Sequence, residues 1–112
     1  MTTLNLWIVL AIIWVHWFAD FFCQTDKMAK GKSTSNKWLG YHISVYTAIL
    51  MVFGWKYALI NGLLHAATDY ITSRITSRLW KEQRVHDFFV VIGIDQAIHA
   101  TCLLITIPLM GW

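Results

Sequence analysis

Charge is scarce in this chain: Asp, Glu, Lys and Arg make up 13% of its 112 residues, about half of the ~25% usual in soluble domains. That scarcity excludes an ordinary soluble globule and, with 57% hydrophobic residues, indicates a membrane protein. Proline occurs once, and no Pro- or Ser-rich linker divides the chain, so a single domain, 1–112, is expected. Cysteine occurs twice. Cys23 and Cys102 head for opposite ends of an up-and-down bundle, which excludes a disulfide between them and leaves both to packing. The N-terminus lacks Lys, Arg and a small-residue cleavage site, so the first apolar run reads as a mature helix rather than a signal peptide.

What the chain has instead is uncharged runs. Residues 1–19, 38–55 and 96–112 carry no Asp, Glu, Lys or Arg, each close to the ~20 residues that cross a bilayer. A fourth run, 57–71, is broken by Asp69. The expected fold is all-α, a four-transmembrane-helix bundle with helices at 4–23, 38–54, 57–73 and 88–110. Gly54-Trp55 supplies a tight turn between the second and third. Lys27, Lys30, Lys32 and Lys37 fall in one loop and Arg74, Arg78, Lys81 and Arg84 in another. The positive-inside rule places both loops in the cytoplasm and both termini outside, in a multi-pass protein of the inner membrane.

The stretch 73–84 has Ile75 and Leu79 on one side and its basic residues elsewhere, which predicts an interfacial extension of the third helix. Both basic loops are expected against anionic lipid headgroups, each basic residue contributing about 1 kcal/mol; no nucleic-acid partner is expected, and a homo-oligomer is left open. Lys30-Gly31-Lys32-Ser33-Thr34 resembles the end of a phosphate-binding loop, but Asp26 stands where that pattern requires glycine and no strand precedes it. Trp7, Trp38, Trp55, Trp80 and Trp112 fall at expected membrane boundaries, as in aromatic belts. Trp14 and Trp17 flank His16, facing either a site or lipid.

Seven polar residues stand out against this background: His16, Asp20, His42, His65, Asp69, Asp95 and His99. Six form His/Asp pairs spaced i, i+4, which puts both members of each pair on one helix face. At ~1.5 Å per residue, all seven fall in a band on the order of 5–16 Å below the cytoplasmic surface. An Asp near the centre of a membrane helix costs about 2.5–3.5 kcal/mol, so three cost about 8–10 before allowance for depth. Facing the interior and pairing with His offsets part of this cost. A bound cation offsets more, because neutral imidazole and carboxylate are both metal ligands.

The seven are therefore candidate ligands of a divalent ion, zinc by ligand type. They exceed one tetrahedral site, so they suit either one zinc with carboxylates orienting its histidines or two ions sharing carboxylates. Their alternative role is that of buried hydrogen bonds holding four helices together. Gln24 extends the face of Asp20, and Asn61 that of His65; both, with Tyr46 one turn from His42, are candidates to orient ligands or contact substrate. Gln96 lies roughly 100° around the helix from Asp95 and is expected to serve another contact.

His16-x-x-x-Asp20-Phe21-x-x-Gln24-Thr25-Asp26, His42, His65-x-x-x-Asp69 and Asp95-Gln96-x-x-His99, in this order on separate spans, resemble the small bacterial and phage membrane proteins of the domain of unknown function 3307 family. The resemblance covers nearly the whole chain and implies a polytopic membrane fold, with no activity attached.

Three functions are open on the residues alone. One is a metal-dependent hydrolase of a lipid or other amphipathic substrate, with His16, His65 and His99 holding a zinc-type ion. That ion lowers the pKa of bound water to near 7, and Asp69 or Asp20 takes the proton as general base. Another is a proton or metal-ion conduit, since intramembrane Asp and His also relay charge. The last is a non-catalytic membrane interaction factor of a phage or its host.

Overall fold

The computed structural model describes residues 5–110, and the described chain is helical throughout, without strands. The first helix, α1 (Leu6–Trp17), starts where the Asn5 side chain accepts a hydrogen bond from the Trp7 amide, satisfying one of the amides that every helix start leaves open. It continues through a π-helical turn, Phe18–Phe22. A short helix follows, α2 (Asp26–Gly31), capped by the Thr25 hydroxyl on the Met28 amide. Then come α3 (Asn36–Leu50), closed by a 3₁₀ turn at Met51–Phe53, the long α4 (Trp55–Lys81) and α5 (Val85–Ile105), followed by a last 3₁₀ turn at Ile107–Leu109.

Four long helices thus stand where four are expected. Residue 4, the expected start of the first, lies outside the described residues, as does Trp112. Two features differ from expectation. The loop between the first two spans contains α2, and the expected interfacial extension is no separate element, because α4 runs unbroken to Lys81. Gly54, with φ of 119°, makes the turn into α4 in a conformation that only glycine adopts without strain.

Neighbouring helices are antiparallel. Gly62 on α4 lies against Thr47 on α3, so closely that a methyl group there would run into the Thr47 hydroxyl. Small residues at such a crossing let two backbones approach. Across the other side of α4, the Tyr57 hydroxyl donates to the Leu103 carbonyl of α5 at 2.7 Å, and Asn61 Nδ2 donates to Thr106 Oγ1 at 2.8 Å. α4 is the centre of the bundle, with α3 and α5 on either side and α1 closing the remaining face.

The distribution of polarity is inverted relative to a water-soluble bundle. An apolar core of Ile12, Tyr46, Leu50, Phe53, Tyr57, Ala58 and Leu103 gathers toward the Gly54 turn. Toward the opposite, lysine-rich end the buried side chains are Asp20, His42, His65, Asp69, Asp95 and His99. The outside is apolar: Leu63 is 70% exposed and Trp7 78%, while Asp69 is 1% exposed.

Among the described residues one helix, Val85–Ile105, is long and apolar enough to cross a membrane, and Leu6–Phe22 is apolar but shorter. The expected four crossings are therefore met in helix number but not in span character. α3 is short, and α4 carries Asn61, His65 and Asp69 along its inward face, which lowers its average apolarity although its outward face is oily.

Candidate metal centre

Each of the four long helices delivers polar side chains to one place, and local geometry explains how. On α3, His42 and Tyr46 are one turn apart and both are buried. On α4, Asn61, His65 and Asp69 repeat at four-residue spacing, and on α5 Asp95, His99 and Leu103 do the same; each set therefore lines one face. On α1 the π-helical turn intervenes. The Cys23 amide bonds the Phe18 carbonyl five residues back, at 2.9 Å. Such a turn widens the helix by one residue and changes the direction of the side chains within it; Asp20 is buried there at 3% exposure.

His42 Nε2 lies 3.0 Å from Asp20 Oδ1 and 3.2 Å from Asp69 Oδ2. His65 Nε2 lies 3.4 Å from Asp20 Oδ1 and 3.1 Å from Asp69 Oδ2. The two imidazole nitrogens are 3.1 Å apart. Tetrahedral bonds of 2.0–2.2 Å put neighbouring donor atoms about 3.3–3.6 Å apart, so these five edges are close to those of a first-row metal site and slightly contracted. Two rings and two carboxylates, all buried, thus aim donor atoms at a common point. Asp20 also belongs to a second such group, with Asp95 and His99.

The ring planes are held by stacking. Tyr46 lies on His65 with centroids 4.0 Å apart, and His65 on His99 at 3.8 Å with only 15° between planes. Locked rings make a prearranged site. Nδ1 of His42 and of His65 find no hydrogen-bond partner among the described residues, and neither does His99 Nε2. Buried polar atoms are seldom left so.

The expected site residues divide as follows. Asp20, His42, His65, Asp69, Asp95 and His99 are brought together as donor groups. His16 stands beside them, 3.7 Å from Asp20 Oδ2, but commits both ring nitrogens elsewhere: Nδ1 to the Tyr46 hydroxyl and Nε2 to Gln96 Oε1, each at 2.9 Å. His42, rather than His16, is therefore the partner of His65. The Tyr46 hydroxyl bonds His16, and only its ring meets His42. Asn61 is buried but bonds the Tyr57 carbonyl and Thr106, on the apolar side of the cluster. Gln24 lines a cavity described below. Trp14 and Trp17 face outward and do not wall the centre.

Three participants were not expected. Gln96 is the hub of the α1–α5 contact, its amide nitrogen donating to Asp20 Oδ2 at 3.2 Å and Asp95 Oδ2 at 3.1 Å. The Thr72 hydroxyl donates to Asp95 Oδ1 at 2.6 Å. Lys32, expected at lipid headgroups, turns inward and places Nζ 3.1 Å from Asp69 Oδ2. The i, i+3 spacing of Asp69 and Thr72 was the available signal for the threonine; for Lys32 there was none.

A cavity of about 580 Å³ opens beside the cluster, bordered by Asp20, Asp95 and Gln96. Lys30, Lys32 and Lys81 supply positive charge to it, and Trp80, Phe88 and Phe89 an apolar wall.

Residues 8–112 match the family model described as "Protein of unknown function (DUF3307)". Among curated proteins and among solved structures, nothing matches.

Proposed function

The chain belongs to the DUF3307 family, and from that starting point we propose that it is a membrane-embedded divalent-metal protein that hydrolyses an anionic amphiphile drawn in at its basic end. The observation that carries the reading is the convergence of Asp20, His42, His65 and Asp69 donor atoms at metal-ligand spacing in a buried setting. Neutral imidazole with carboxylate suits zinc or a similar first-row ion.

Membrane embedding is supported by the inverted polarity. An oily exterior around a polar interior is stable in lipid, where ionisable side chains face the bundle interior and partner one another. α4, at ~1.5 Å per residue, is about 40 Å long, enough to cross and emerge at the lysine-rich end. On this reading all four long helices cross, the basic loops lie in the cytoplasm against anionic headgroups, and the exposed tryptophans meet lipid.

An ion held in the cluster supplies Lewis acidity to a substrate oxygen. The chain supplies the rest. Lys30 and Lys81 attract a negatively charged head group, and Trp80, Phe88 and Phe89 receive its apolar part. Of the two carboxylates expected as general base, Asp20 borders both cavity and cluster while Asp69 lies behind, and both serve here as ion ligands rather than as free bases. Gln96, itself bonded to His16, holds Asp20 in place. Conduction is the weaker reading, because Tyr46, Leu50, Phe53, Tyr57 and Leu103 pack the other end with apolar side chains and close the path.

Elemental analysis of detergent-purified full-length protein tests the premise. Stoichiometric zinc or a related ion is expected in the native chain and little in a His65→Ala/Asp69→Ala double variant. Equal, sub-stoichiometric metal in both would remove the proposal.

A further inference from the structure

His65 and His99 cannot serve one ion. Their rings are stacked 3.8 Å apart and nearly parallel, so their Nε2 lone pairs lie in separate, nearly parallel planes. Two ligands of a single tetrahedral ion must instead converge at a wide angle. Both rings nevertheless point at the same carboxylate, each at a different oxygen. His65 Nε2 is 3.1 Å from Asp69 Oδ2, and His99 Nε2 is 3.4 Å from Asp69 Oδ1.

We propose that the centre binds two divalent ions, bridged by the Asp69 carboxylate. This deepens the metal reading above and rests on it. The first ion takes His42, His65, Asp20 and Asp69 Oδ2. The second takes His99, Asp95 and Asp20, with Asp69 Oδ1, 3.4 Å from His99 Nε2, as its fourth donor.

Three observations carry the second position. His99 Nε2, buried at 2% exposure, stands between two carboxylates, 3.2 Å from Asp95 Oδ2 and 3.4 Å from Asp69 Oδ1, without the alignment of a hydrogen bond to either. Asp20, Asp95 and His99 each place a donor atom within 4.8 Å of the others, as a common ion requires. With the two rings stacked 3.8 Å apart and nearly parallel, ions lying in the two ring planes would be about as far apart as those of two-metal hydrolytic centres, ~3.5–4 Å. Thr72 and Gln96 hold the Asp95 carboxylate from the other side, leaving it oriented toward His99.

Two ions sharing a carboxylate also resolve the surplus of donors. Three aspartates and three histidines in one buried cluster are too many for one tetrahedral site and suited to a pair. The cavity borders the second position directly, through Asp95 and Asp20, so the second ion is the one that substrate meets first.

The test uses full-length protein in detergent, stripped of metal and titrated with Mn(II). About two equivalents per chain are expected to bind, with an exchange-coupled electron paramagnetic resonance spectrum at saturation. Asp95→Asn is expected to hold about one, with an uncoupled six-line spectrum. One equivalent in the native chain, uncoupled at every loading, overturns the second ion and leaves the metal reading standing. No binding at all overturns both. The native titration decides the matter even if the variant does not fold.

Discussion

The two ends of this bundle are built on opposite principles. Toward the Gly54 turn, Ile12, Leu50, Phe53, Tyr57 and Leu103 pack against one another, and the Tyr57 hydroxyl is satisfied by the Leu103 carbonyl. Toward the lysine-rich end, acids and imidazoles are crowded at 3.0–3.4 Å with nitrogens left unpartnered. The first arrangement stabilises the fold by packing. The second costs desolvation, and breaking buried pairs of this kind costs several kcal/mol. The contrast puts packing at one end and, on the metal reading proposed above, ligand binding at the other: the apolar end holds four helices in register around a polar end in which Lys32 offsets part of the charge of three aspartates.

This division predicts that the two ends respond differently to the same perturbation. The largest effect is expected from chelation. Anything that binds only the folded state stabilises it by about 2.7 kcal/mol at a hundredfold excess over its dissociation constant and about 4.1 at a thousandfold. Removing tightly held metal is therefore expected to lower the unfolding midpoint in detergent sharply, and restoring zinc to recover it. An unchanged midpoint would show that the polar end is satisfied without an ion.

A smaller effect, confined to stability, is expected from Leu103→Ala. Leu103 is fully buried in the apolar core, and such truncations cost about 2–4 kcal/mol. Metal content is expected to stay at the native level, whereas Leu63→Ala on the oily exterior is expected to shift the midpoint by no more than about 0.5 kcal/mol. Loss of metal in Leu103→Ala at a temperature where it remains folded would mean that the two ends are not separable.

Much of this arrangement was legible in the residues. His16/Asp20, His65/Asp69 and Asp95/His99 revealed three inward faces because period-four pairs survive any reasonable helix boundary. The matched depth of His42 added the fourth helix. Gly54 marked its turn because a positive φ has few alternatives.

What escaped has physical reasons too. α2 is six residues long with no apolar period, and its trace was the Thr25 cap alone. The π-helical turn leaves no mark in composition. His16 and Asp20 keep the shared face that their i, i+4 spacing predicts, 3.7 Å apart, but Asp20 meets His42 and His65, while His16 bonds Tyr46 and Gln96. The 100° offset of Gln96 from Asp95 points it to another contact, but α5 meets both α1 and α4, so its inward arc is wide enough for both. Lys32 reads as a surface charge in sequence because a long side chain can reverse direction without any signature in its neighbours.

The central claim is that imidazoles and carboxylates from the long helices surround metal at the polar end. X-ray absorption at the zinc edge of the zinc-loaded protein tests it most directly. Nitrogen and oxygen neighbours at about 2.0–2.2 Å with a clear imidazole contribution, and a metal–metal distance of about 3.5–4 Å, are the expected result. A spectrum of zinc surrounded by water oxygens alone, without imidazole scattering, would contradict it.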